Sequence, residues 1–289
     1  MKTKSMSIGV LLILSLLSVP VLSMGIQPAS AANYASGVFC PNNWSPAPPP
    51  DGAGDTANEL SLSQQSCQYI YNYLDAHYDG VCYYYWGDTV PPNPPSTPRV
   101  YPSTYLNTLT ALEQANNKVT VFSKGHNVPW GNGAHYKLLC TDSPDAATDN
   151  DIFLATNQAK CKFDFIWHCG TTLSYPVAPP YMDAYGYIGM PLAFTHNVAM
   201  TKYGASGVAV FAGWDWRSPQ FENRIPENTN WQWAQFATAV FYYMHNNPTW
   251  SLGYTLNYLS SSIYGTSFQY SPLYNSLVVW GNMNMVLSY

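Results

Sequence analysis

Apolar residues along this chain switch between two spacings. From Leu60 to His77 they recur with helical spacing at Leu62, Tyr69, Ile70, Tyr73 and Leu74, which predicts an amphipathic helix. Val81 to Trp86 reads as a short strand, and the proline cluster from Pro91 to Pro98 forces an extended connection. Tyr105 to Asn116 reads as a second helix. Three compact apolar runs follow, Lys118 to Phe122, Phe163 to Trp167 and Val208 to Ala212, each ending abruptly in polar residues and glycine. Helical segments are predicted around Asp151 to Gln158, Asn230 to His245 and Ser251 to Ser262, with a last strand at Leu277 to Trp280. Apolar strands alternating with helices argue for a mostly parallel sheet buried on both faces, an α/β three-layer sandwich. In such a sheet ligands sit beyond the carboxyl ends of the strands, where the polar clusters fall here. No internal repeat is visible.

The first residues obey a different rule. Lys2 and Lys4 precede an apolar run from Ile8 to Leu22 and a small-residue site at Ala29-Ser30-Ala31. That is the three-part pattern of a removable export signal over residues 1–31, with the mature chain beginning at Ala32. The run is short of the roughly 20 residues a membrane span requires, and no later segment is apolar for that length. A secreted or cell-surface product is expected, with no transmembrane segment. Residues 32–56, rich in proline, asparagine, glycine and aspartate from 41 onward, read as an N-terminal loop, and 57–289 as one domain. Asn43-Trp44-Ser45 fits the glycosylation acceptor pattern.

Composition narrows the function classes. Cleavage removes two of the 11 basic residues and none of the 16 acidic ones, leaving a net charge of −7. Nothing in that balance attracts a phosphate backbone, so no nucleic-acid partner is expected. Charged residues are only 9% of the chain, against about 25% in ordinary domains, and such a surface, polar through Tyr, Asn, Ser and Thr, points to a harsh, acidic exterior. The six cysteines are Cys40, Cys67, Cys82, Cys140, Cys161 and Cys169. In an oxidising compartment they suggest disulfides. If one is held back as a thiol, at most two bridges form, with Cys140–Cys161 and a pair among the first three expected. No Cys-x-x-Cys pair, compact metal-ligand spacing, glycine-rich phosphate loop or Gly-x-Ser-x-Gly occurs, so neither a metal nor another cofactor is expected.

The candidate chemistry lies at the ends of the apolar strands. One stops at Ser123-Lys124-Gly125-His126, the next at His168-Cys169-Gly170-Thr171 and the third at Gly213-Trp214-Asp215. If the first two strands are parallel neighbours, His126 and Cys169 stand over one sheet edge, where an imidazole can activate a thiol. A strand ending in His, and 43 residues later a strand ending in Cys-Gly, resembles the caspase-like cysteine peptidases, the group of caspases, legumains, clostripains and gingipains. The resemblance spans roughly residues 57–285. It implies a caspase-like domain with His126 as general acid/base, Cys169 as nucleophile and the Gly170 amide in the oxyanion hole, acting on polypeptide substrates. The loop Gly213-Trp214-Asp215-Trp216-Arg217-Ser218-Pro219 corresponds to part of the specificity pocket.

The sequence departs from the family in two places: Asn127 rather than Gly follows the histidine, and His168 rather than a small residue precedes the cysteine. His135 and His168 are therefore alternative imidazoles. Asp183 and Asp215 are candidates for a polar pocket floor, and Arg217 for a substrate carboxylate or for pairing with Asp215 or Glu222. Gly189 to Asn197 lacks regular periodicity and is expected as a wall of the cleft. His196 admits a papain-like Cys-then-His order, although the residues after Cys169 suit a loop better than the helix that order needs. A rival reading is an inactive caspase-like surface protein binding glycans or partner proteins, in keeping with 16% aromatic residues. A transpeptidase would use the same acyl-enzyme. Oligomeric state is not legible.

Overall fold

A computed structural model of the chain describes residues 34–41, 55–87, 100–130, 135–139, 146–172 and 188–287. At its centre is a six-stranded sheet in the order β2-β1-β3-β7-β8-β11. Its strands are β1 (Tyr34–Cys40), β2 (Cys82–Trp86), β3 (Lys118–Lys124), β7 (Cys161–Trp167), β8 (Val210–Trp214) and β11 (Leu277–Gly281). All neighbours are parallel except β11, which runs antiparallel to β8. A separate three-stranded sheet joins β4 (Asn127–Trp130), β5 (His135–Leu139) and β6 (Ala146–Ala147), and β9 (Arg224–Ile225) pairs with β10 (Asn228–Gln232).

Both faces of the central sheet are covered, which is why its strands read as apolar runs rather than as alternation. Phe163, Phe165 and Trp167 of β7 point to one face with Val38 and Phe122. There they meet α1 (Ala57–His77), α5 (Trp233–Asn246) and α6 (Leu252–Tyr264) through Ile70, Leu74, Phe241 and Leu256. Phe39, Val121 and Ile166 point to the other face, against α2 (Pro102–Ala115), α3 (Asp149–Ala155) and α4 (Met190–Thr195). The architecture is therefore α/β, helices on either side of a mostly parallel sheet. Among the described residues no helix is long and apolar enough to cross a membrane.

The strand order reverses at β1. The chain passes from β1 through α1 to β2 on one side, then returns through α2, on the opposite face, to β3 on the other. In open α/β sheets the carboxyl edge at such a reversal is where ligand sites commonly lie.

Several elements depart from expectation. The stretch expected as an N-terminal loop contains β1, which lies between β2 and β3 inside the sheet. Its Ser36 and Gly37 hide the apolar pattern, yet Gly37 is needed: a Cβ there would come within 2.7 Å of the Phe39 ring. Gly189 to Asn197 contains the short helix α4, with every residue from Met190 to Thr195 buried against the sheet. The strand expected from Val208 starts at Val210, and the helix expected from Asn230 starts at Trp233, the preceding residues forming β10. The export signal, Asn43, the proline cluster at 91–98 and Cys140 lie outside the described residues.

Candidate active site

β3 and β7 are parallel neighbours, and their last register pair is Lys124 with Trp167. His126 and Cys169 each stand two residues beyond that pair, at the carboxyl edge. Side-chain bonds tie the two loops together. The Asn127 amide donates to the Cys169 carbonyl at 2.6 Å, and the His168 Nδ1–H donates to the His126 carbonyl at 2.8 Å.

His126 is buried and its Nε2–H donates to Oδ1 of Asp55 at 3.0 Å, an ion pair when the ring is protonated. Asp55 lies between β1 and α1 in the chain and immediately precedes the Thr56 cap of α1. A carboxylate accepting from one ring nitrogen fixes the tautomer and the orientation of the ring. This is the arrangement by which an acid orients a working histidine.

A second buried pair lies beneath the first. The Lys124 ammonium sits 2.9 Å from Glu59 Oε1, with side-chain exposures of 2% and 0%. Glu59 lies in the first turn of α1, where it also accepts the Glu222 N–H at 2.8 Å and the Ser63 hydroxyl at 3.3 Å. Burial alone would raise the Glu59 pKa, but Lys124 and the backbone donors around it outweigh that and hold it below the ordinary value. Burial would likewise lower the pKa of Lys124, yet the Glu59 and Asp55 carboxylates hold it above the ordinary ammonium value. The ammonium also faces the Phe221 ring at 5.1 Å. Lys124 thus joins the end of β3 to the start of α1, the two segments that carry His126 and Asp55.

Cys169 is half-buried and unbridged. Its sulfur accepts the Ser218 N–H at 3.3 Å and lies 3.5 Å from the Ser218 hydroxyl. Gly170 follows in a left-handed conformation at φ 64°, which glycine adopts without the Cβ penalty. Its N–H, expected to face an oxyanion, instead donates to the Trp216 carbonyl at 2.6 Å. Comparison of the chain with family models and with curated proteins returns no match.

His168, an alternative imidazole, is spoken for. It is fully buried; its Nδ1–H lies near the His126 carbonyl and Asn127 Oδ1, and its Nε2 accepts from Ser123 at 2.8 Å. Burial above all, with Lys124 and His126 nearby, lowers its pKa to about 3. Gly125 makes room for the ring, since a Cβ there would come within 2.7 Å of His168 Cε1. His196 lies elsewhere, stacked on Phe153 with its Nε2 bonded to Thr156 Oγ1. His135 begins β5, but its side chain is not among those described.

Of the expected pocket residues, Asp215 and Arg217 are both exposed in the loop after β8, with Trp216 between them 70% exposed. Asp215 accepts from Thr172 Oγ1 at 3.2 Å. Glu222, one expected partner of Arg217, accepts instead from Thr56 and Asn58. Asp183 lies outside the described residues. Among the described residues no group of His, Cys, Asp or Glu has the geometry to hold a metal ion. Sequence reasoning missed Asp55, Lys124 and Glu59. A signal for them exists in Thr56-x-x-Glu59, which has the spacing of a helix-start signature and places Asp55 at the helix entrance.

Proposed function

We propose that the chain is an exported cysteine endopeptidase of the caspase-like type, working through Cys169, His126 and Asp55. The observation that carries this reading is the buried His126–Asp55 pair, held at the end of the strand adjacent to the one that leads to Cys169. An imidazole oriented by a carboxylate, on the loop beside the one that carries a half-buried thiol, supports this reading; the sulfur itself contacts Ser218, so substrate entry would have to bring His126 and Cys169 into reach. In the proposed mechanism His126 takes the thiol proton and the Cys169 sulfur attacks the peptide carbonyl. His126 then returns the proton to the leaving amine. Water, deprotonated by the same ring, hydrolyses the thioester; an amine in its place would make the enzyme a transpeptidase. Asp55 holds the ring and balances the imidazolium charge. His168, neutral at ordinary pH with both nitrogens engaged, serves as a strut. If Gly170 supplies an oxyanion donor, the Trp216 carbonyl gives way when substrate enters.

Hydrolysis of a diverse peptide library by the purified chain tests the proposal. Activity should vanish in Cys169→Ala and His126→Ala, while Asp55→Asn lowers kcat by roughly 10²- to 10⁴-fold without unfolding the protein. Hydrolysis that survives Cys169→Ala would contradict it.

One feature favours a non-catalytic binding protein on the same scaffold. A groove of about 380 Å³ between α1 and α5 is lined by Tyr69, Tyr73, Trp231, Tyr242 and Tyr243, side chains suited to binding surfaces. That reading predicts a library left uncut, with ligand binding insensitive to Cys169→Ala.

A further inference from the structure

The edge of the central sheet opposite His126 and Cys169 carries a cavity that the proposed reaction does not use. It encloses about 310 Å³ at the amino ends of β1, β3 and β7. Its wall divides by chemistry. On the polar side the Lys118 ammonium donates to the Tyr34 hydroxyl at 2.6 Å and lies 4.6 Å from the centre of the same ring. The Tyr78 and Thr120 hydroxyls bond to each other at 2.6 Å. Burial pushes the Tyr78 pKa up against that bond, so its hydroxyl stays uncharged. Lys162 adds a second cation to the lining, its ammonium donating to the Ala159 carbonyl at 2.6 Å. On the apolar side stand Phe163, Met285 and Leu287, the first and last of them buried. Among the described residues no carboxylate lines the cavity, and neither ammonium has an acidic partner. Asp79, which adjoins Tyr78, accepts instead from the Tyr34 N–H at 3.0 Å. In a chain of net charge −5, the two lysines make a local excess of the opposite sign.

We propose that this cavity binds a small carboxylate with an apolar body, the anion held by Lys118 and Lys162 and the body packed on Phe163, Met285 and Leu287. A mostly apolar pocket with a few placed polar groups is the usual form of a small-molecule site, the polar groups fixing the ligand's orientation. An ammonium meeting a carboxylate makes a charge-assisted hydrogen bond, stronger than the neutral contacts that Lys118 and Lys162 now make. At about 30 Å³ for each water-sized group, the cavity takes about ten non-hydrogen atoms, the size of octanoate. A tail without charge would leave both ammoniums unpaired, and a cationic head would meet like charge. The inference stands whether or not the chain is a peptidase.

Titration calorimetry of the purified full chain with octanoate provides the test. The expected result is one saturable site with a Kd of about 1 mM or tighter. Octanol, with the same tail and no charge, should bind about tenfold more weakly or worse, and octylamine should not bind. Lys118→Met and Lys162→Met, both at positions that reach solvent, should stay folded by circular dichroism. Together they should weaken octanoate about tenfold and bring it to the level of octanol. Acetylation mapped by mass spectrometry locates the site: octanoate should protect Lys118 and Lys162 and leave Lys202, which lies over the Trp280 ring, as reactive as before. Cys169→Ala should bind octanoate like the parent, which separates this result from the fate of the peptidase reading. Absence of saturable octanoate binding, equal affinity for octanol, or protection that spares both lysines would overturn the inference, as would a double variant that binds octanoate like the parent.

Discussion

Replacing Glu59 by Gln removes, among the described residues, the one carboxylate in direct contact with a lysine that is 2% exposed. Breaking a buried ion pair by deleting one partner costs about 3–5 kcal/mol, because the surviving charge is left without compensation. The two ends of this pair are unequally supported. Without Glu59, the Lys124 ammonium keeps only the Phe221 face at 5.1 Å and the influence of Asp55. Without Lys124, Glu59 still accepts from Glu222 N–H and Ser63 and lies in the first turn of α1, where the helix favours negative charge. Glu59→Gln should therefore cost about 4 kcal/mol and Lys124→Met about 2 kcal/mol. The double variant should cost no more than Glu59→Gln alone, a coupling of roughly 2 kcal/mol. Urea unfolding at pH 7 measures all three, and repetition in 1 M salt should leave the coupling nearly unchanged because the pair is enclosed. Single costs below about 1 kcal/mol with no coupling would refute the enclosure of this pair.

Other consequences concern protons and space. The His168 pKa is depressed to about 3, so its contribution to stability is complete above its unfolded value of about 6.5. It is lost as pH falls from there towards 3, at about 1.4 kcal/mol per unit. Urea unfolding between pH 7 and 5 should be flatter for His168→Gln, and parallel profiles would argue against the assignment. Asp164 acts with the opposite sign. Burial, then the nearby Glu113 carboxyl, raises its pKa well up against the pull of Cys161 and Lys162, and neither carboxyl oxygen has a hydrogen-bond partner. Its contribution is complete below about pH 3.9 and is lost as pH rises through the folded pKa. Asp164→Asn should match the parent near pH 3.5 and gain on it above pH 4 by about 1.4 kcal/mol per unit while the native acid stays protonated; a constant difference would contradict this. Gly125→Ala forces a Cβ to within 2.7 Å of His168 and 2.9 Å of Pro41, so it should cost about 1–3 kcal/mol. A neutral result in thermal unfolding would show that the ring can step aside.

The strands that carry His126 and Cys169 were legible because burial on both faces leaves mainly apolar runs, as in Phe163 to Trp167, interrupted by Asp164. Their adjacency followed from the α/β pattern, since successive β-α-β units place such strands side by side. β1 escaped because Ser36 and Gly37 interrupt its apolar residues, and its central position depends on pairing with segments far along the chain. Without β1 in view, Asp55 is one more acid in a Pro/Gly/Asp stretch, with nothing local to bring it to His126, 71 residues away. Lys124 was invisible for a related reason. A lysine at a strand end ordinarily reaches water, and only the arrival of α1 with Glu59 makes burial affordable.

The central claim, that His126 and Asp55 serve a nucleophilic Cys169, is tested most directly by covalent labelling with a peptide bearing a thiol-reactive electrophile. The account predicts a single adduct on Cys169 at neutral pH in the folded parent, strongly slowed in His126→Ala and partly slowed in Asp55→Asn, with both variants still folded, though less stable than the parent, at the assay temperature. An unlabelled Cys169, or labelling at the same rate in His126→Ala, would contradict it.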